Sequence, residues 1–199
     1  MKGTILFTDI KQSSVLWRKF PEEMFKSLKK NDKRIKTNVE KFDGMIVKSI
    51  GDSIMAKFDN AELAVKAAVK ILKYKPLSVG TMEIKLRIGI CSGSFKKKVD
   101  IIQGCKLQDF FGHTVNVAAR LESNVSPVNG FGIAFMDTKD GTLPDNIRLI
   151  IKRAGFKIKE VLYKDKCPKK ISKVISTECR LANELKGVGN LRAFIVSHK

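Results

Sequence analysis

Apolar residues recur along this chain with two different periods, which predict an alternation of strands and helices. Residues Thr4–Phe7 form a short apolar run typical of a buried strand, and Ser13 and Ser14 stand where they could cap a short helix. Pro21 suits the first position of a second helix. That helix is predicted to continue to Gly44, because apolar residues repeat at near-helical spacing: Met24, Leu28, Ile35, Val39 and Phe42.

A hairpin and a third helix are predicted next. The runs Met45–Ser49 and Ser53–Phe58 flank Gly51-Asp52, which indicates two strands joined by a tight turn. Asn60 is placed to cap a helix, because a regular apolar face follows it. The residues of that face are Ala64, Ala67, Ala68 and Ile71.

The second half of the chain is also predicted to contain both strands and helices. Alternation from Met82 to Cys91 predicts one strand, followed by a Lys-rich turn, and Gly112–Glu122 is predicted to be helical. Phe131–Met136 is predicted as a strand, residues 137–184 as a helix and a hairpin with loops, and Leu191–Val196 as the closing strand. The order predicts a single α+β domain over residues 1–199, with helices on a mostly antiparallel sheet.

The composition indicates a globular protein with a large positive charge. Hydrophobic residues make up 43% of the chain, so a globular protein is expected, and no apolar run approaches the roughly 18 residues that a membrane helix needs. No secretory signal is evident, and the expected location is the cytoplasm, with no membrane association. The net charge of +19 could attract polyanions. A basic nucleic-acid-binding protein is therefore a remote alternative, with nucleic acid an unlikely partner because no nucleic-acid-binding motif is evident.

Two pairs of polar residues suggest phosphoryl chemistry. Asp9 ends the first predicted strand and Asp52 lies in the hairpin turn, so adjacent strands would bring the two carboxylates together. Such a pair can hold Mg²⁺ together with phosphate oxygens, and two metals can clamp the attacking and leaving oxygens of a phosphoryl transfer. Asn116 and Arg120 are four residues apart on one helix, and their donors suit charge that develops on a phosphate.

Five stretches, in order, resemble the motifs of class III adenylyl and guanylyl nucleotide cyclases. They are Phe7-Thr8-Asp9-Ile10, Val47–Asp52, Leu86–Ile90, Gly112–Glu122 and Leu185-Lys186-Gly187. The resemblance implies a ferredoxin-like cyclase catalytic domain. It also implies a head-to-tail homodimer that converts a nucleoside triphosphate to a 3′,5′-cyclic nucleotide and pyrophosphate.

The resemblance also implies a role for each matching residue. Asp9, Asp52 and the Ile10 carbonyl would hold two divalent metals per site, Mn²⁺ or Mg²⁺. Asn116 would orient the ribose, and Arg120 would stabilise the transition state.

The same resemblance gives the remaining roles, with Arg87 and Lys186 binding phosphates and Lys48 and Asp109 reading the base. Lysine only donates hydrogen bonds and an ionised aspartate only accepts them. The pair therefore fits adenine or cytosine, which offer a ring acceptor beside an amino group, and not guanine or uracil.

More loosely, the stretches Cys105–Gly112 and Glu122–Ser126 resemble the bacterial Pycsar antiviral pyrimidine cyclases. The cyclase motifs begin close to Met1, as in free-standing members of that group. This resemblance predicts cyclic CMP, with cyclic UMP possible, as a signal in anti-phage defence to a separate cyclic-nucleotide-binding effector. The alternative is a minimal adenylate cyclase that makes cyclic AMP.

Overall fold

The computed structural model describes residues 1–102, 105–124, 130–136, 141–163 and 191–198. The strands in these ranges are β1 (Lys2–Ile10), β2 (Met45–Ile50), β3 (Ser53–Phe58), β4 (Ser78–Val79), β5 (Met82–Glu83), β6 (Leu86–Ser94), β7 (Lys96–Ile102), β8 (Cys105–Phe111), β9 (Gly130–Phe135), β10 (Phe156–Tyr163) and β11 (Leu191–His198). The helices are α1 (Ser13–Lys19), α2 (Pro21–Lys41), α3 (Ala61–Leu72), α4 (His113–Asn124) and α5 (Asp145–Arg153).

One large sheet organises the described part of the chain. Its seven strands lie in the order β10-β11-β9-β6-β1-β3-β2, and two hairpins, β4/β5 and β7/β8, form small sheets of their own. Within the large sheet β6 and β9 run parallel, and the other neighbouring strands are antiparallel. The predicted α+β fold with a mostly antiparallel sheet is therefore confirmed.

Alternate residues of the central strands point to opposite faces of the sheet and pack into two apolar cores, one on each face. Leu6 and Ile88 belong to the larger core, which α1, α2, α3 and α5 cover. Ile5 and Cys91 face the opposite way and pack against α4 and the β7/β8 hairpin. Each fully buried aliphatic side chain contributes about 1.5–3 kcal/mol to folding. The two-sided burial explains why the central strands are apolar on both faces.

Local sequence signals mark the starts of α2 and α3. The Asn60 side chain accepts a hydrogen bond from Leu63 N at 3.1 Å, so the predicted cap of α3 is present. Pro21 occupies the first turn of α2, as predicted. The predicted cap of α1 is wrong, because Ser13 already lies inside that helix. The N-cap is Gln12, in a left-handed conformation and without a side-chain capping bond.

Two strand predictions also need correction. The single strand expected over Met82–Cys91 is two strands, because β5 pairs with β4 and only β6 joins the large sheet. The predicted Lys-rich turn is strand β7, which pairs with β8 in an antiparallel hairpin. Within the described ranges, no helix is both long and apolar enough to cross a membrane.

Candidate active site

Asp9 and Arg87 face each other across the centre of the large sheet. Strands β1 and β6 are antiparallel, and their register sets these two residues directly opposite one another. Arg87 Nη2 donates a hydrogen bond to Asp9 Oδ2. The hydroxyl of Ser53, at the start of β3, donates to Asp9 Oδ1 at 3.3 Å. The Asp9 carboxylate is therefore held from the strands on either side of β1.

Asp52 lies at the same end of the sheet as Asp9. It follows Gly51, whose φ of 61° is left-handed and favours glycine, in the turn between β2 and β3. Asp52 Oδ2 accepts a hydrogen bond from Ile10 N at 3.3 Å. The hairpin turn thus brings the second predicted carboxylate to the end of β1, beside Asp9 and the Ile10 main chain.

Glu122, which has no role among the residues predicted from sequence, joins this group from α4. Its Oε1 lies 3.2 Å from Arg87 Nε, and Arg87 Nη1 donates to the neighbouring Ser123 carbonyl at 2.9 Å. Burial raises the pKa of Glu122 to about 7; the Asp9 charge adds to this, whereas Arg87 and the Ser123 hydroxyl oppose it. A sequence signal existed, because Glu122 is an acidic residue on the apolar stripe of an amphipathic helix.

A glycine fixes the distance between α4 and the sheet. A Cβ added at Gly89 of β6 would lie 2.0 Å from the Ala118 carbonyl oxygen and 2.3 Å from Glu122 N. At the start of α4, the Thr114 hydroxyl donates to the Ser94 carbonyl at 2.7 Å. The helix is therefore held close to β6 at both ends, which brings Glu122 within reach of Arg87.

Asp32, on α2, is a further carboxyl group near the Asp52 end of the site. Burial raises its pKa, and the charge of Asp52 adds to that rise. Its Oδ1 is buried without a hydrogen-bond partner among the described residues. Asp32 carries no distinctive sequence signal, because it lies at a polar position of a helix rich in lysine.

Lys48 and Asp109, the predicted base readers, contact each other. Lys48 Nζ donates to Asp109 Oδ2 and thereby joins β2 to β8, and the two side chains are 34% and 22% exposed. The other Asp109 oxygen accepts from Phe110 N at 2.7 Å. The pair therefore holds a donor and an acceptor side by side, and both side chains are partly exposed.

The two predicted transition-state residues lie on another face of α4. Asn116 is exposed and Arg120, one helical turn later, is half-buried, whereas Glu122 is buried on the face that packs against the sheet. It is therefore Glu122, and not Asn116 or Arg120, that connects α4 with Arg87 and Asp9 in this chain. The remaining phosphate-binding residue that the sequence predicts, Lys186, lies outside the described residues.

The donor set around Asp9 and Asp52 suits a hard divalent cation. In the described part of the chain no group of three or more His, Cys, Asp or Glu side chains forms a complete metal cage. Mg²⁺ commonly binds through one or two carboxylates together with substrate phosphates and water. Two carboxylates beside the Ile10 main chain fit that mode, and the Arg87 guanidinium already shows that Asp9 accommodates a positive charge.

Comparison with known proteins gives a consistent family. Residues 2–129 match the family described as adenylate and guanylate cyclase catalytic domain. The chain is 28% identical over 158 residues to receptor-type adenylate cyclase A of Leishmania donovani, which covers 60% of this chain and 11% of that protein. The chain thus spans about a tenth of the length of that relative.

Solved structures share the fold over the whole chain. The guanylate cyclase domain of RhGC from Catenaria anguillulae, solved with GTP, superposes with a TM-score of 0.67 at 21% identity, covering 100% of this chain and 97% of that one. A rhodopsin-guanylyl cyclase core with converted specificity, solved with ATPαS, has a TM-score of 0.66 at 23% identity, covering 100% and 96%.

Proposed function

Because this chain belongs to the adenylate and guanylate cyclase catalytic domain family, we propose that it converts a nucleoside triphosphate into a 3′,5′-cyclic nucleotide. In this reaction the ribose 3′-oxygen bonds to the α-phosphorus, the bond to the β-phosphate oxygen breaks, and pyrophosphate leaves. The proton of the 3′-hydroxyl passes to solvent water. The observation that carries the proposal is the grouping of Asp9 and Asp52 at one end of the sheet, linked through Arg87 to the helix that bears Asn116 and Arg120.

In the proposed mechanism Asp9, Asp52 and the Ile10 carbonyl hold two divalent cations, Mn²⁺ or Mg²⁺. When bound, such cations lower the pKa of the 3′-hydroxyl and neutralise the triphosphate. Arg87 lies beside Asp9 and contributes a guanidinium to the phosphates. The expected phosphate contact of Lys186 remains a prediction.

We assign Asn116 and Arg120 to a second chain's active site. Both sit on a face of α4 other than the one that carries Glu122 towards Arg87. In a head-to-tail homodimer that face would complete the partner's site, so each of two sites would take metal ligands from one chain and Asn116 and Arg120 from the other. Asn116 would orient the ribose, and Arg120 would stabilise charge on the α-phosphate.

Lys48 and Asp109 are the proposed base readers. A base that separates this ion pair must offer an acceptor to the ammonium and an amino group to the carboxylate. Adenine and cytosine satisfy both groups, whereas guanine and uracil would leave each one mispaired at about 1–3 kcal/mol. The fold is compatible with more than one base, since the two solved neighbours hold GTP and ATPαS. The proposed substrates are therefore ATP or CTP.

Two biological settings follow from these substrates. Cyclic CMP would accord with the pyrimidine-cyclase resemblance, with anti-phage signalling to a separate effector and with a cytoplasmic location, all of which stay predictions. Cyclic AMP would accord with the adenylate cyclase of Leishmania donovani to which the chain is similar. The identity of the product decides between them.

Product identification tests the proposal. The purified protein is incubated with ATP, CTP, GTP or UTP and Mn²⁺, and products are identified by mass spectrometry, with Asp9→Asn as the matched inactive control. The expected result is a cyclic nucleotide and pyrophosphate from ATP or CTP with the wild type and none with the variant. Cyclic GMP or cyclic UMP as the main product would refute the assignment of Lys48 and Asp109. Equal turnover by Asp9→Asn would refute the assignment of the metal site.

A further inference from the structure

All three nitrogens of the Arg87 guanidinium have a polar contact. Nη2 donates to Asp9 Oδ2, Nη1 donates to the Ser123 carbonyl, and Nε lies 3.2 Å from Glu122 Oε1. Two of these contacts come from the end of α4 and one from β1. Asp9 can therefore lose its contact with Arg87 while the other two contacts persist.

A carboxylate at position 122 gives no advantage in packing over an apolar side chain. Its side chain is only 9% exposed, and it sits among buried apolar residues of α4, including Ala118 and Leu121. Burying a charge is costly unless it is paired, and an apolar side chain would pack at least as well there. The carboxylate is paired with Arg87, and it also lies beside Asp9, whose charge adds to the effect of burial in raising the Glu122 pKa.

The contact between Glu122 and Arg87 is electrostatic and not aligned as a hydrogen bond. Both Nε and Oε1 are buried, and neither has a hydrogen-bond partner within the described ranges. The Ser123 hydroxyl donates to the other Glu122 oxygen at 3.2 Å, and Gly89 keeps the Glu122 backbone against β6. The carboxylate is thus fixed against β6, and it holds Arg87 at Nε through charge.

We propose that Glu122 is a positioning residue, which tethers Arg87 at Nε so that its Nη2 can exchange Asp9 for the substrate's triphosphate. Without ligand, Arg87 neutralises Asp9. A cation held by Asp9 would compete with Nη2 for that carboxylate, and Glu122 and the Ser123 carbonyl would then keep the arginine from turning to solvent. The inference rests on the proposed function, because it uses the same site.

Replacing Glu122 would change the affinity for triphosphate in opposite directions, depending on whether the residue acts through its charge or by holding Arg87 in position. Removing a negative charge near the site would by itself strengthen the binding of an anion. Losing the tether weakens that binding, because Arg87 is no longer held towards the phosphates; outer partners of this kind are worth roughly 10-fold in affinity. The sign of the change therefore separates the two effects.

The probe is inorganic tripolyphosphate, which carries the charge of the substrate and cannot be cyclised. Its Kd is measured by calorimetry at saturating Mn²⁺ and well above pH 7, where Glu122 is ionised, for the wild type, Glu122→Gln, Glu122→Asp and Arg87→Met. The Mn²⁺ affinity of each variant and its thermal unfolding are measured as checks. Glu160→Gln is the matched control, because Glu160 forms a distant ion pair with Arg192 at 3.4 Å. Glu122→Asp keeps the negative charge but moves it away from Arg87 by one methylene. This variant therefore still tests the positioning role if Glu122→Gln fails to fold.

The expected result is a roughly 10-fold higher Kd for both Glu122 variants, with no change for Glu160→Gln. The double variant Arg87→Met/Glu122→Gln should bind no more weakly than Arg87→Met alone, because Glu122 acts through Arg87. Tighter binding by Glu122→Gln, or wild-type binding by Glu122→Asp, would overturn the inference while leaving the proposed function intact. A wild-type protein that forms no cyclic nucleotide would instead count against the proposed function.

Discussion

Replacing Gly89 by alanine should disrupt the site through packing alone. Gly89 is absent from the glycines with left-handed φ, so alanine is compatible with its backbone conformation. The added Cβ would lie 2.0 Å from the Ala118 carbonyl oxygen and 2.3 Å from Glu122 N, and both atoms are backbone. Ordinary contacts of a Cβ are 3.4–4 Å. The end of α4 must therefore move away from β6 by more than an ångström.

The cost follows from that displacement. Overpacking of this kind destabilises a protein by about 1–3 kcal/mol, and the upper end applies because backbone cannot rotate aside. For a chain of this size, about 3 kcal/mol lowers Tm by roughly 6–12 °C. A displacement of about 1 Å in a catalytic element can cost roughly 100-fold in rate. We therefore expect Gly89→Ala to lose about two orders of magnitude in kcat/KM beyond its loss of stability.

Thermal unfolding and steady-state cyclase kinetics, both at a temperature where the variant is folded, test this expectation. Gly155→Ala is the matched control, because its φ of 87° strains an alanine while nothing lies within 4 Å of the added Cβ. That control should lose about 1 kcal/mol of stability and keep wild-type kinetics. If Gly89→Ala unfolds and turns over like the wild type, the described packing of α4 against β6 is wrong.

Three further predictions concern the base, pH and a helix cap. The double variant Lys48→Glu/Asp109→Lys reverses the donor and acceptor, so the ratio of kcat/KM values should shift from ATP or CTP towards GTP or UTP by roughly 10-fold or more; competition assays that show no shift would exclude this pair as base readers. Burial raises the pKa of Glu122 from 4.5 to about 7, so the unfolded chain loses this proton first and wild-type stability falls as pH rises through that interval. Urea unfolding of Glu122→Gln should lack this contribution, on the order of 3 kcal/mol, and an identical pH profile would contradict the shift. Asn60→Ala removes the acceptor of Leu63 N and should lower the free energy of unfolding by about 1 kcal/mol, whereas an unchanged Tm would show that the cap contributes nothing.

Features encoded locally were the most predictable from sequence. The cap and apolar face of α3 lie within a few residues of each other, as do Pro21 and the start of α2. Asp9 and Asp52 could be predicted to meet because a hairpin follows a strand and neighbouring strands align their ends. The condition was that β1 lies beside a strand of the hairpin, and in the structure β1 pairs with β3.

Features that depend on distant partners were missed. The role of Glu122 depends on its contact with Arg87 and its proximity to Asp9. These residues come together only because β1 pairs with β6 and because Gly89 lets α4 pack closely against β6. The lysines of β7 resemble a solvated turn until their pairing with β8 is known. Likewise, the alternation of Met82–Cys91 does not reveal that β5 pairs with β4 while β6 enters the large sheet.

The most direct test of a cyclase built from two chains is complementation between two inactive variants. Asp52→Asn removes a metal ligand, and Arg120→Ala removes the transition-state group that the partner would supply. Each protein alone should be inactive. A refolded or exchanged 1:1 mixture should regain about a quarter of wild-type activity, because half of the dimers are mixed and each has one intact site. A mixture that stays inactive although mixed dimers form, or substantial activity from either variant alone, would contradict the account.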